Sequence, residues 1–299
     1  MSHQAAIGLG TVQWGMPYGI ANRSGLPGPE QIEAMLRLAH DRGIKTLDTA
    51  PGYGRAESLL GDNHAAARFR IITKTKPLQG GELTEADVQA VAEAFEESLA
   101  RLSCRTVDGL LVHHPDVLLK KDGQRLWTVL DRIRQEGRAL KIGVSVYHPG
   151  QLEALLERYR IDLVQLPFNI YDQRFMQSGL LQRVKRLGVE VHARSAFLQG
   201  VLLSPSSKLP PYFDAIRTHH VRLHRLLADS GMTPLTGCLQ HCLRQPDIDA
   251  VIVGCETLGQ LGDILDAAQE CAVRLPPVAS YALVDERFLN PSRWACAPV

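Results

Sequence analysis

The chain has 299 residues, of which 45% are hydrophobic, and a formal net charge of +1. That length and apolar content are enough to bury one large core, as a single barrel of roughly 250 residues plus loops would require. The near-zero charge offers no electrostatic footprint for nucleic acid. With no run of 18 apolar residues and no basic-then-apolar leader, neither a membrane span nor export is expected, and the default is a cytoplasmic protein. Six cysteines (Cys104, Cys238, Cys242, Cys255, Cys271 and Cys296) occur singly, without CxxC spacing. They fit free thiols in a reducing compartment rather than a disulfide framework.

In chain order, a first strand is expected at residues 5–9, then a loop through Trp14. A helix follows Pro29, with Ile32, Met35, Leu36 and Ala39 at helical spacing, and stops at Gly43. Residues 45–48 read as a strand, 55–60 as a short helix and 70–74 as a strand. Thr84 to Asp87 resembles a capping box, opening a helix to Arg101 that places Val88, Val91, Phe95, Leu99 and Leu102 on one face. Strand 109–113, helix 124–135, strand 140–144, helix 151–159, strand 163–167, helix 176–186 and strand 189–193 follow. After a proline-rich loop at 204–212, helix 234–243 has Pro234 in its first turn. Strand 250–253 and helix 258–272 close the series. Eight strands joined mostly by helices argue for a closed parallel sheet wrapped by helices, and residues 276–299 for a tail of little periodicity.

Several strands end on polar residues. Asp48 closes the second, Lys74 the third and His113 the fourth, and Tyr53 follows a Pro51-Gly52 turn signal. In a parallel barrel such positions meet on one rim. Taken alone, each has a plain structural reading as a helix cap, a solvated lysine or a turn histidine; their joint occurrence carries the argument. A phenol ionises near pH 10, so a nearby lysine is expected to ease its proton exchange.

The stretches LDTAPGYG, ITKT and LLVHHPD, in that order, resemble the motifs of the aldo-keto reductase superfamily, over residues 7 to 268 or so. The resemblance implies a single (β/α)8 TIM barrel over residues 1–275, with the tail 276–299 packing on or near it. It also implies a catalytic set of Asp48, Tyr53, Lys74 and His113. Tyr53 would act as general acid or base while an aldehyde or ketone is reduced, or an alcohol oxidised, by hydride transfer. No side chain supplies hydride, so a nicotinamide cofactor is required. NADPH is favoured over NADH, bound without a Rossmann motif, since Gly8 to Gln13 lacks the third glycine of GxGxxG.

By the same resemblance, Ser145 and Gln165 would contact the nicotinamide carboxamide, with Asn169 as a neighbour. Arg194 stands where an aromatic ring often stacks; it could instead meet a pyrophosphate, an acidic substrate or a carboxylate of the protein. Gly254, Gln260 and Asp263 fall in the adenosine segment, with Gly254 and Gln260 where the best-known branches place a lysine and an arginine against the 2′-phosphate. Trp14 and His114 would line the substrate pocket.

A monomer or small homo-oligomer acting on a small carbonyl or alcohol, with no nucleic-acid or membrane partner, completes the expectation. His219, His220 and His224, and His241 with Cys238 and Cys242, have helical spacing but lack motif partners, so no metal is expected. The chain has no GxSxG elbow and no phosphate-binding GxxxxGK loop. Two other readings remain: a regulatory or subunit protein that keeps the cofactor site with little turnover, and a lyase or isomerase on the same barrel that needs no redox cofactor.

Overall fold

The structure, a computed structural model, describes residues 4–22, 24–78, 83–270 and 274–294. Eight strands close a parallel barrel in sequence order: β1 Ala6–Gly10, β2 Thr46–Asp48, β3 Arg70–Lys74, β4 Val107–Val112, β5 Ala139–Ser145, β6 Leu163–Pro167, β7 Glu190–Arg194 and β8 Ala250–Gly254. β8 pairs with β1 from Ala6↔Ala250 to Gly10↔Gly254. The helices of seven or more residues are α1 Pro29–Asp41, α2 Ala56–Asp62, α3 Glu85–Arg101, α4 Gly123–Gln135, α5 Pro149–Leu156, α6 Leu180–Arg186, α7 Arg217–Asp229, α8 Pro234–Leu243 and α9 Leu258–Gln269. Alternating β and α elements thus form the expected (β/α)8 barrel.

Strand alternation sorts the core into two faces. Leu9, Leu47, Ile71, Leu110, Val144 and Val164 face outward and join the helices' apolar stripes in the main core. Ile72, Leu111 and Leu163, on the opposite face of their strands, form a separate cluster inside the barrel. At the amino-terminal end of the strands, Glu190 gathers Arg70 (3.1 Å), His192 (2.8 Å) and Lys141 around one carboxylate. These pairs hold its carboxyl below the usual range against the effect of burial. That end is filled, which leaves the carboxyl-terminal rim for a ligand.

α3 begins with a complete capping box: Thr84 Oγ1 accepts the Asp87 amide at 3.2 Å and Asp87 Oδ2 accepts the Thr84 amide at 2.9 Å. The helix expected at 176–186 is broken in two, Arg174–Gln177 and α6, because Gly179 takes φ +72° between them. Short helical turns also form at Val12–Gly15, in the stretch read as a loop, and at Asp116–Leu119. The proline-rich segment is ordered by packing: Leu209 and Phe213 are buried in a second cluster with Tyr171, Leu202, Phe288 and Trp294. Tyr212 donates to the Arg287 carbonyl at 2.9 Å, and the Leu283 amide to the Tyr171 carbonyl at 2.8 Å, so the described part of the tail is tied to the loops after β6 and β7. Cys104, Cys238, Cys242 and Cys255 are free thiols; Cys271 and Cys296 lie outside the described residues. No helix among the described residues is long and apolar enough to cross a membrane.

Candidate active site

A cavity of about 470 Å³ opens at the carboxyl-terminal rim, and Asp48, Tyr53, Lys74 and His113 all line it. Lys74 is the centre of the arrangement. Its side chain is 1% exposed, and its Nζ donates to Asp48 Oδ2 at 2.7 Å and to the Thr49 carbonyl at 3.0 Å. The second Asp48 oxygen accepts Gln165 Nε2 at 2.7 Å. Both carboxylate oxygens are therefore engaged, and side chains of β2, β3 and β6 are tied to one another.

Tyr53 owes its place to two glycines. Gly54 has φ +56°, and a β-carbon there would fall 2.2 Å from the Gly15 carbonyl oxygen. One at Gly15 would fall 1.8 Å from the Tyr53 carbonyl oxygen. Backbone thus meets backbone, and the phenol is held 4.9 Å, ring centroid to ammonium, from Lys74 Nζ. Burial pushes its pKa well above the ordinary value, and Asp48 pushes the same way. The expectation of a lysine-lowered tyrosine is not met: Asp48 neutralises Lys74, so desolvation prevails.

His113 meets Tyr53 edge-on, ring centroids 5.9 Å apart, and its pKa falls to about 2 through burial and then the charge of Lys74. It is a neutral imidazole whose buried Nδ1 has no protein partner. The site accordingly presents a neutral phenol and a neutral imidazole to the cavity beside a neutralised ion pair.

Arg194 adds a charge that no carboxylate among the described residues pairs. Its guanidinium lies 4.2 Å over the Tyr147 ring and donates to the Val146 carbonyl at 3.1 Å. The wall after it is strained: Ser195, Leu198 and Gln199 take φ of +61°, +48° and +52°.

Of the residues expected to bind the cofactor, Ser145, Gln165, Arg194, Gly254, Gln260 and Asp263 line the cavity. Three other expected residues do not. Asn169 is fully buried; its Nδ2 donates to the Ser195 carbonyl at 3.0 Å and its Oδ1 accepts the Tyr171 and Asp172 amides. It holds the strained wall in place. Trp14 turns into the core, 2% exposed, with its indole N–H on the Cys255 carbonyl at 3.2 Å. His114 is exposed and stacks on His113, centroids 4.9 Å apart.

Tyr18, Asn22, Tyr147, Gln199 and Glu256 line the cavity without having been anticipated. Most come from loops that carry no periodicity; Glu256 sits two residues beyond a strand end already singled out, where only its burial was hidden. The α7 histidines serve as ties: His219 to the Tyr281 carbonyl, His220 to the Tyr171 hydroxyl and the Ser204 carbonyl, and His224 to the Leu202 carbonyl. Among the described residues no three His, Cys, Asp or Glu side chains are grouped to hold a metal ion.

Comparison with known proteins supplies the family. The 6-dehydroglucose reductase of Novosphingobium aromaticivorans is 30% identical over 220 residues, covering 68% of this chain and 70% of its own. The glyoxal reductase of Bacillus subtilis is 31% identical over 183 residues, 59% of this chain and 61% of its own. Among solved structures, the holo form of an aldo-keto reductase from Bacillus halodurans superposes with a TM-score of 0.71 at 19% identity, covering 94% of both chains. The Aldo/keto reductase family model matches residues 6–274, so the chain belongs to that family, whose members are oxidoreductases that reduce carbonyl compounds with nicotinamide cofactors.

Proposed function

We propose that this chain reduces an aldehyde or ketone, or oxidises the corresponding alcohol, with a nicotinamide dinucleotide bound in the rim cavity. One observation carries the reading: two neutral hydrogen-bond donors, Tyr53 and His113, line the cavity beside the buried Lys74–Asp48 pair. The cavity also fits a ligand rich in polar groups. Gln13 Oε1, Asn22 Nδ2 and Gln199 Oε1 are buried on its lining without protein partners, groups that a polar ligand would satisfy.

Ser145 and Gln165 would hold the nicotinamide end, and Gly254, Gln260 and Asp263 the adenosine end. When bound, the dinucleotide supplies the hydride. Tyr53 gives its proton to the carbonyl oxygen, and His113 donates a hydrogen bond to that oxygen. The raised phenol pKa keeps the proton on Tyr53 until negative charge develops on the substrate. Lys74 Nζ lies 4.9 Å from the phenol ring centroid with its charge paired to Asp48, so the pair gives Tyr53 a fixed electrostatic setting without lowering its pKa in the resting site. The buried free thiols fit work in the cytoplasm on a small molecule.

The test is Tyr53→Phe. Cofactor affinity, followed by tryptophan fluorescence, should stay within about twofold, while kcat across a panel of aldehydes and ketones should fall roughly 10²- to 10⁴-fold. Undiminished turnover in this variant would refute the role of Tyr53.

A further inference from the structure

The cavity wall differs in charge along its length. Lys74 and Arg194 line it near Tyr53. Along the connection from β8 into α9 the lining residues are Gly254, Glu256, Gln260, Asp263 and Ile264, with no lysine or arginine. A 2′-phosphate placed there would meet two carboxylates and, among the described residues of that stretch, no basic side chain.

Glu256 is built to accept rather than to repel. It is 9% exposed and has no basic partner among the described residues. Gln260 anchors it: Gln260 Oε1 accepts the Glu256 amide at 2.7 Å, Gln260 Nε2 approaches Glu256 Oε2 at 3.5 Å, and Thr257 Oγ1 accepts the Gln260 amide at 3.1 Å as the cap of α9. The carboxylate is thus fixed in position but short of donors, and burial raises its pKa accordingly. A ribose 2′,3′-diol offers two O–H donors to such a group, as it does to acidic side chains in other dinucleotide sites. A phosphate dianion offers none and adds repulsion.

Building on the dinucleotide reading above, we propose that Glu256 accepts from the adenosine ribose hydroxyls of the cofactor and so selects NADH over NADPH. This reverses the preference implied by family resemblance. It also assigns the selection to a residue of this chain that lies between Gly254 and Gln260, the positions the resemblance pointed to.

The experiment is calorimetric titration of the full chain with NADH and NADPH, and with ADP-ribose and 2′-phospho-ADP-ribose, which lack the nicotinamide. The unphosphorylated member of each pair should bind at least about tenfold more tightly. Glu256→Gln, which keeps the size and the contact with Gln260, should narrow the gap to about threefold or less, mainly by tightening the phosphorylated member. Equal affinities, tighter binding of the phosphorylated members, a gap unchanged in Glu256→Gln, or a gap closed by Asp263→Asn instead would each overturn the assignment. Should Glu256→Gln fail to fold, the fragment pair on the native chain still decides. Binding of neither coenzyme would defeat the dinucleotide reading, and this inference with it; binding of both without discrimination would defeat the inference alone.

Discussion

Lys74→Met removes half of a buried ion pair and leaves the Asp48 carboxylate, 6% exposed, with Gln165 as its side-chain partner. Across the 2.7 Å contact the gross attraction is about 6 kcal/mol at an effective dielectric of about 20. In the intact protein most of that is offset by the desolvation of both ions. The single variant keeps the desolvation and loses the attraction, so it should cost about 3–5 kcal/mol. Stranding the Thr49 carbonyl adds about 1 kcal/mol. Asp48→Asn should cost a similar amount by leaving the Lys74 ammonium alone. With an unfolding entropy of about 2 cal/mol/K per residue, a loss of about 3–5 kcal/mol lowers the melting temperature by roughly 5–8 °C in a chain of 299 residues. The double variant strands no charge and should melt within about 3 °C of the native protein. Its turnover should stay low, because the buried ammonium–carboxylate pair beside Tyr53 is gone. Thermal melts and steady-state kinetics on the four proteins separate these effects. If the double variant shows the sum of both single losses, the two residues do not act as a pair. If stability and turnover recover together, Lys74 serves the fold and not the chemistry.

Gly54→Ala should displace the Tyr53 loop, since its β-carbon would fall 2.2 Å from the Gly15 carbonyl oxygen; kinetics should show a loss of about 10²-fold in kcat, and unchanged kcat would mean that the loop adapts freely. His241 has its pKa lowered to about 4 by burial, so between pH 6.5 and 4 the unfolded chain binds a proton that the folded chain does not. The stability it contributes is therefore present above pH 6.5 and lost as pH falls toward 4; melts at pH 7 and pH 5 should show a smaller acid loss in His241→Leu than in the native protein, and an equal loss would count against the argument.

Most of the barrel is legible because each strand is a short apolar run ended by a turn or polar signal, and closure then forces strand ends together. Asp48, Lys74 and His113 follow from that topology alone. What the sequence hides is where a side chain turns when no periodicity governs it. Trp14 lies on a four-residue helical turn whose inner face is set by contact with the β8 end, and its indole goes to Cys255. Asn169 belongs to a loop whose amides and carbonyls needed a partner, and it supplies one. The sign of the Tyr53 shift is hidden for a different reason. A lysine next to a tyrosine lowers its pKa only while the charge is free, and here Asp48 pairs with Lys74.

The wall after β7 bears on what the cavity requires. Left-handed backbone at Ser195, Leu198 and Gln199 costs about 1 kcal/mol or more at each non-glycine residue, and glycine would remove that cost. Side chains are nonetheless present at all three, and those of Ser195 and Gln199 line the cavity. The surrounding structure holds the turn: Asn169 donates to the Ser195 carbonyl, the Phe168 amide to the Arg194 carbonyl at 3.1 Å, and the Leu198 amide to the Ser195 carbonyl at 2.9 Å. Glycine at Ser195 or Gln199 would ease the backbone, but it would delete the Ser195 hydroxyl beside Arg194 Nη1 or the unpartnered Gln199 amide oxygen. At Ser195 and Gln199 the strained backbone thus carries a side chain on the cavity wall, while Leu198, equally strained, packs its side chain into the second apolar cluster.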